Sequence, residues 1–207
     1  MSLDTWLLFI AVSLLPAISP GPAVLLAISN ALRFGSMATL VSATGNALGL
    51  VVLGYAVTMG LGALMMASAL AFTVVKLVGA VYLVFLGIKL FRDRTAFVAV
   101  ENAIASRQSH WQLFSTAFIV SVTNPKAIFI IAALFPQFLA HGSYSLTDTS
   151  ILSLTYAIMC FLNHALLAMF GGKIRKFLTT QKVITRLRKS LGVAFVGFGA
   201  ALAAASR

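Results

Sequence analysis

Ser19-Pro20-Gly21-Pro22 and Asn124-Pro125-Lys126 each set proline inside a long apolar run. Proline lacks a backbone N–H and its ring clashes with the carbonyl one turn back, so a helix running through either segment comes apart there. At each break a new half-helix starts, with unpaired N–H groups and the positive end of its dipole. Lys126 adds a full positive charge beside the second break. Two such ends and a lysine suit the binding of a carboxylate or a phosphate group. The competing reading is a plain proline kink, with Lys126 reaching along its helix to water or to backbone carbonyls.

The surroundings of these residues are a bilayer. Hydrophobic residues make up 60% of the 207 and charged residues 9%, with a mean hydropathy of +1.02, whereas soluble domains carry about 25% charge. A transmembrane helix needs about 20 apolar residues, and six runs can be placed, at residues 5–32, 37–61, 67–91, 113–139, 151–170 and 191–205. The last is short unless Lys189 snorkels to the interface. Gly60 and Gly62 are the expected turn between the second and third. The first run has no basic n-region and exceeds an ordinary signal-peptide h-region, so it reads as a span.

A net charge of +11 in a soluble chain would point to nucleic acid. Its distribution points to topology instead. All of the 15 lysines and arginines except Lys76, Lys126 and Arg207 fall in the segments after the first, third and fifth runs. The positive-inside rule places those segments in the cytoplasm and both termini outside. Residues 182–189 could also bind anionic lipid, although topology alone accounts for their charge. The lone cysteine, Cys160, excludes a disulfide framework. Three scattered histidines offer no transition-metal cluster, and no cofactor is implied.

The chain repeats itself. Lys76-x-x-Gly79-x-x-Tyr82-x-x-Phe85 in the third run is matched by Lys189-x-x-Gly192-x-x-Phe195-x-x-Phe198 in the sixth. Ser19-Pro20 in the first is matched by Asn124-Pro125 in the fourth, and Asn46 in the second by Asn163 in the fifth. Three matches in one order argue for a duplication of three spans, about residues 1–91 and 113–207, joined by a cytoplasmic linker at about 92–112. An odd number of spans inverts the second copy, so the fold class expected is an all-α integral membrane protein of two inverted three-helix repeats with helices 1 and 4 broken. The breaks lie roughly 22 Å and roughly 18 Å along their runs from opposite faces at the helical rise, near the middle of a core about 30 Å thick.

The other polar residues admit two uses each. Lys76 either lines an access path or snorkels outward. Asn46, Asn163 and His164 either meet substrate or join helices by hydrogen bonds, as Gly45-x-x-x-Gly49 does by close packing. Tyr82, Phe85, Phe195 and Phe198 read as packing residues.

Ser19-Pro20-Gly21-Pro22, Lys76-x-x-Gly79-Ala80-x-Tyr82-Leu83-x-x-x-Gly87 and Asn124-Pro125-Lys126 with Phe135-Pro136-Gln137-Phe138 together resemble the lysine exporter superfamily, most closely its homoserine/threonine exporter branch. The likeness covers essentially the whole chain. It implies a proton-driven inner-membrane exporter of amino acids or their derivatives, with Ser19, Pro20, Gly21, Pro22, Asn124, Pro125 and Lys126 forming the translocation site. Asn46, Lys76 and Asn163 join them as substrate-binding candidates. Members often carry an aspartate in the second or fifth span, where this chain has Asn46 and Asn163. His164 is then the one obvious neutral-pH titrator within the membrane and the candidate for proton coupling. The expected partners are an amino-acid substrate, protons and membrane lipid; a homodimer is open to it, and nucleic acid is not expected.

Without an intramembrane acid, a second cationic group on the substrate would go unbalanced, so neutral amino acids are expected ahead of lysine and arginine. Export of another small anion or metabolite, or of basic amino acids, is the alternative. A membrane enzyme acting on lipid head groups would need clustered carboxylates or a nucleophile with its base, and Asp4, Asp93, Glu101 and Asp148 are dispersed. A channel or structural subunit would not require symmetrical helix breaks.

Overall fold

Ser2 caps the first helix by accepting a hydrogen bond from the Thr5 N–H at 3.2 Å, and the apolar run that follows stays helical until Pro20 stops it. A residue before proline is driven from the helical region, and Ser19 is accordingly extended at φ −67°, ψ 139°. A computed structural model describes residues 1–67, 69–92, 108–139, 145–178 and 181–204. They form α1 (Leu3–Ile18), α2 (Pro22–Ala67), α3 (Ala69–Arg92), α4 (His110–Thr123), α5 (Pro125–Phe138), α6 (Leu146–Leu178) and α7 (Gln181–Ala204).

α2 holds 46 residues, roughly 69 Å at the helical rise and more than twice the thickness of a bilayer core. Gly35, at φ 84° and ψ −174°, breaks it into residues 22–34 and 36–67. That backbone conformation is open to glycine and strained for other residues. Arg33 therefore lies against a kink, and no loop separates the first and second apolar runs. A second correction concerns Gly60 and Gly62. The helix runs through both to Ala67, because glycine is tolerated inside membrane helices. The third concerns the basic segment at 173–189, most of which is helical: Lys173, Arg175 and Lys176 extend α6, and Lys182 to Lys189 open α7. This lengthens the sixth run to 24 residues.

Among the described residues, Pro22–Gly60 and Leu146–Phe170 are long and apolar enough to cross a membrane, and α4 with α5, bent by 55° at the break between them, make a third if the pair counts as one span rather than a re-entrant loop. The apolar side chains left exposed, such as Leu70, Trp111 and Met169, are the surface expected to face lipid.

Small residues set the packing. α2 lies on α4 and α6, α3 on α7, and α1 on α5 and α6. A Cβ on Gly45 would stand 2.9 Å from the carbonyl carbon of Phe114, and one on Gly49 2.7 Å from the Cβ of Ser121. The Gly45-x-x-x-Gly49 pattern is thus the face that lets α4 approach α2. Gly87 lies against the Gly192 carbonyl and Gly199 against the Ala80 carbonyl, each leaving 2.8 Å for an added Cβ. These crossed pairs run α3 and α7 antiparallel. Tyr82 stacks on Phe129 with ring centroids 4.1 Å apart, Phe195 is buried and Phe85 exposed.

Candidate functional site

The two breaks meet. Lys126, in the first turn of α5, is buried and sends its Nζ to the backbone carbonyl of Ser19, donating a hydrogen bond of 2.6 Å. The last carbonyls of a helix have no partner within it, so the lysine of the second break satisfies a carbonyl freed by the first. Gly21 makes this reach possible: a Cβ there would stand 2.9 Å from Lys126 Cδ and 3.4 Å from Nζ.

The half-helices start in different ways. At α5, the Asn124 side chain accepts from the Lys126 N–H at 3.0 Å, and Ile128 N–H donates to the Asn124 carbonyl. Pro125 has no N–H to lose, which leaves Ala127 as the first-turn donor without an intrahelical or capping acceptor. At α2, Leu25 N–H donates to the Gly21 carbonyl at 2.9 Å. Pro22 again has no donor, so the N–H groups of Ala23 and Val24 are left without intrahelical acceptors.

Ala23, Val24 and Ala127 all line one cavity of about 30 Å³, together with Gly21, Asn46, Ser121, Asn124, Lys126, Tyr156, Cys160 and His164. Three first-turn residues whose N–H groups lack intrahelical acceptors, and an ammonium group, thus line a space with no aspartate or glutamate in its lining. Asp4 and Asp148 lie in the first turns of α1 and α6; Asp93 and Glu101 lie outside the described residues. Asn46 brings a buried carbonyl oxygen that no described residue bonds, an acceptor for a donor such as an ammonium group. Its own backbone carbonyl accepts from Ser121 Oγ at 3.0 Å. As it stands the cavity holds about two waters, so an amino acid enters only if the helix halves part.

Residues 14–206 match the family described as LysE type translocator. The chain belongs to that family. A relative from Vibrio cholerae serotype O1, named only as an uncharacterized membrane protein, is 35% identical, with 99% of each chain covered. Relatives from Salmonella typhimurium and Salmonella typhi, each named homoserine/homoserine lactone efflux protein, are 32% identical over 99% of this chain and 98% of their own. No solved structure matches. A LysE-type translocator is a transporter rather than an enzyme, and its place is the membrane.

Within this LysE-type chain the breaks divide the expected site residues. Ser19 is buried and presents its carbonyl to Lys126, while its hydroxyl donates to the Pro16 carbonyl at 3.1 Å. Pro20 stops α1, Pro22 and Pro125 open α2 and α5, and Gly21, Asn46, Asn124, Lys126 and His164 line the cavity. Asn163 is elsewhere: its Nδ2 donates to the Ala17 carbonyl at 3.2 Å, tying α6 to the last turn of α1. The Lys76 side chain lies outside the described residues. Tyr156 and Cys160 come to the cavity without having been singled out as site residues. Their signal is the four-residue spacing Tyr156, Cys160, His164, which puts all three on one face of α6.

Gly21→Ala tests the seating of Lys126. The added methyl displaces a side chain rather than backbone, so the expected result is a folded protein whose transport rate falls about tenfold, the scale of ~1.4 kcal/mol. Wild-type rate in that variant would separate the lysine's position from transport.

Proposed function

We propose that the protein exports small neutral amino acids or close derivatives across the bacterial inner membrane by alternating access. The substrate's oxygens are held between the two breaks by Lys126 and the N–H groups of Ala23, Val24 and Ala127, and its ammonium group meets the Asn46 side chain. The observation that carries this reading is the Lys126 to Ser19 hydrogen bond inside a cavity without an acid. When substrate enters, its carboxylate replaces the Ser19 carbonyl as the ammonium's partner, and the two broken spans are released from one another. Such differential contact is what shifts a conformational equilibrium.

The relatives' names support this substrate class. Homoserine is a small amino acid with an uncharged side chain, and its lactone keeps the amine and carbonyl acceptors. The antiparallel pairing of α3 with α7, the packing of α2 on α6 and the meeting of the two breaks support the reading as two inverted repeats. His164, inside the cavity lining, remains the proposed group for proton coupling.

Competition in proteoliposomes tests the charge argument. Threonine, homoserine and small aliphatic amino acids are expected to displace labelled substrate better than lysine or arginine, since a second cation beside Lys126 has no acid to balance it. Lysine displacing label better than every neutral amino acid would overturn the electrostatic reading. The proposed orientation, with both termini outside, has its own check. In a Cys160→Ser background, a cysteine at Ser143 is expected to react with an impermeant thiol reagent in intact cells and one at Ser106 is not. Reaction at 106 alone would reverse the topology.

A further inference from the structure

Hydroxyl groups in these helices generally bond a carbonyl of the preceding turn, as side chains of this kind do. Thr39 donates to the Gly35 carbonyl at 3.0 Å, Ser115 to Trp111 at 2.8 Å, Thr123 to Ile119 at 2.7 Å and Ser150 to Leu146 at 2.6 Å. Ser13, Thr58 and Ser153 are different. Each is at most 2% exposed, and none of their hydroxyls has a partner among the described residues. A buried hydroxyl left unpaired destabilises the fold, and three of them on three helices require an explanation.

Their places are related. Ser13 lies one turn of α1 from the cavity-lining Pro16 and Ala17, and one turn on its other side is Phe9. Ser153 lies one turn of α6 before Tyr156, which lines the cavity. Thr58 is one turn of α2 beyond Gly54, and Gly54 is one turn beyond Leu50, again a lining residue. All three therefore continue cavity-lining faces toward the same end of the molecule, where α1 and α6 begin. At Gly54 the elements converge: a Cβ there would stand 3.0 Å from Ser153 Cβ and 3.2 Å from Phe135 Cε2. Phe135 makes an edge contact with Phe9 at a centroid distance of 5.8 Å, and Phe138 makes another at 5.2 Å. Phe9 and Phe135 are both buried.

We propose that the solute passes between the cavity and this end of the molecule through the layer just described, with the Phe9–Phe135 contact as its closed gate and Ser13, Ser153 and Thr58 as its polar steps. The proposal rests on the export reading. The solute is a zwitterion the size of an amino acid, whose ammonium and carboxylate groups exchange hydrogen bonds with hydroxyls supplied in turn by α1, α6 and α2. Unpaired in the closed state, the hydroxyls gain partners only when the layer opens, which favours the open state when solute is present. The two phenylalanines meet edge to face through side chains alone, so rotation about their χ angles parts them without moving the glycine-seated backbones of α2 and α4.

Two measurements test this on the reconstituted full chain. In the first, Ser13→Ala, Ser153→Ala and Thr58→Val are combined and the export of labelled threonine and homoserine is followed. The expected result is a fall of at least tenfold in maximal rate, KM within twofold of wild type, and a melting temperature equal to or above wild type because buried unpaired hydroxyls have been removed. Wild-type rate, or a rate that falls only in step with melting temperature, overturns the proposal. In the second, Ser153→Cys in a Cys160→Ser background is exposed to a hydrophilic thiol reagent added at the face where α1 and α6 begin. Reaction is expected to rise at least tenfold when Phe9→Ala is added, with no rise when the apolar substitution is made at the exposed Leu14 instead. Equal reactivity with and without Phe9→Ala overturns the gate whatever the solute. If the labelling behaves as expected while no amino acid is carried by the wild type, the route stands and the substrate assignment falls.

Discussion

Export is expected to fall to background in Lys126→Ala while the protein still inserts and folds. The lysine is buried, its ammonium group has the Ser19 carbonyl at 2.6 Å, and the cavity around it carries no opposing charge. On the proposed reading a substrate carboxylate arriving there forms a buried ion pair, and removing one member of such a pair costs about 3–5 kcal/mol. At about 1.4 kcal/mol per decade, that is a loss of more than a hundredfold in the transport rate at limiting substrate. Lys126→Met keeps the stem that packs on Gly21 and removes only the charge, so it is expected to match the alanine variant. Lys126→Arg is expected to fail nearly as badly, because the planar guanidinium has neither the shape nor the hydration of an ammonium. Flux near wild type in well-inserted Lys126→Met would reduce the lysine to a link between α1 and α5.

Gly45→Ala is expected to lower the stability and yield of the folded protein rather than its activity alone. The added Cβ would meet the backbone of Phe114, 2.9 Å from its carbonyl carbon and 3.0 Å from its Cα. A backbone cannot step aside by changing rotamer, so α4 must move off α2 along their length. Overpacking of this kind commonly costs about 1–3 kcal/mol and can cost more, a large part of a net stability of about 5–15 kcal/mol. Gly60→Ala makes the comparison clean. An added Cβ there meets nothing within 4 Å, and alanine favours a helix interior over glycine by up to about 1 kcal/mol. The measurements are the yield of monodisperse protein in detergent and its melting temperature. Equal yields for the two variants would show that α2 and α4 do not need their close approach.

What the prolines impose was legible from the residues alone. Pro20 forces Ser19 out of the helical region and Pro125 opens α5 under an asparagine cap, because these are constraints on adjacent dihedral angles and need no tertiary partner. Membrane residence was legible for a similar reason, since too few charges exist to cover a soluble surface. Glycine was read less well, because it permits a turn without requiring one. Gly60 and Gly62 stay helical, where the backbone keeps its own hydrogen bonds in a medium that offers no others, and Gly35 takes the left-handed conformation that breaks α2.

Asn46 and Asn163 hold matching places along the sequence, yet Asn46 turns into the cavity and Asn163 bonds the Ala17 carbonyl. Their difference is one of helix rotation, set by Gly45 and Gly49 seating α2 against α4 and by the contact of α6 with the end of α1. Likewise, the residues by themselves determined that two helix breaks and a buried lysine exist in an apolar chain. Only the packing decided that the breaks touch, that Lys126 reaches from one to the other, and that Tyr156, Cys160 and His164 share the space between. Contacts between residues more than a hundred positions apart depend on how every intervening helix is tilted and turned, and no local pattern carries that.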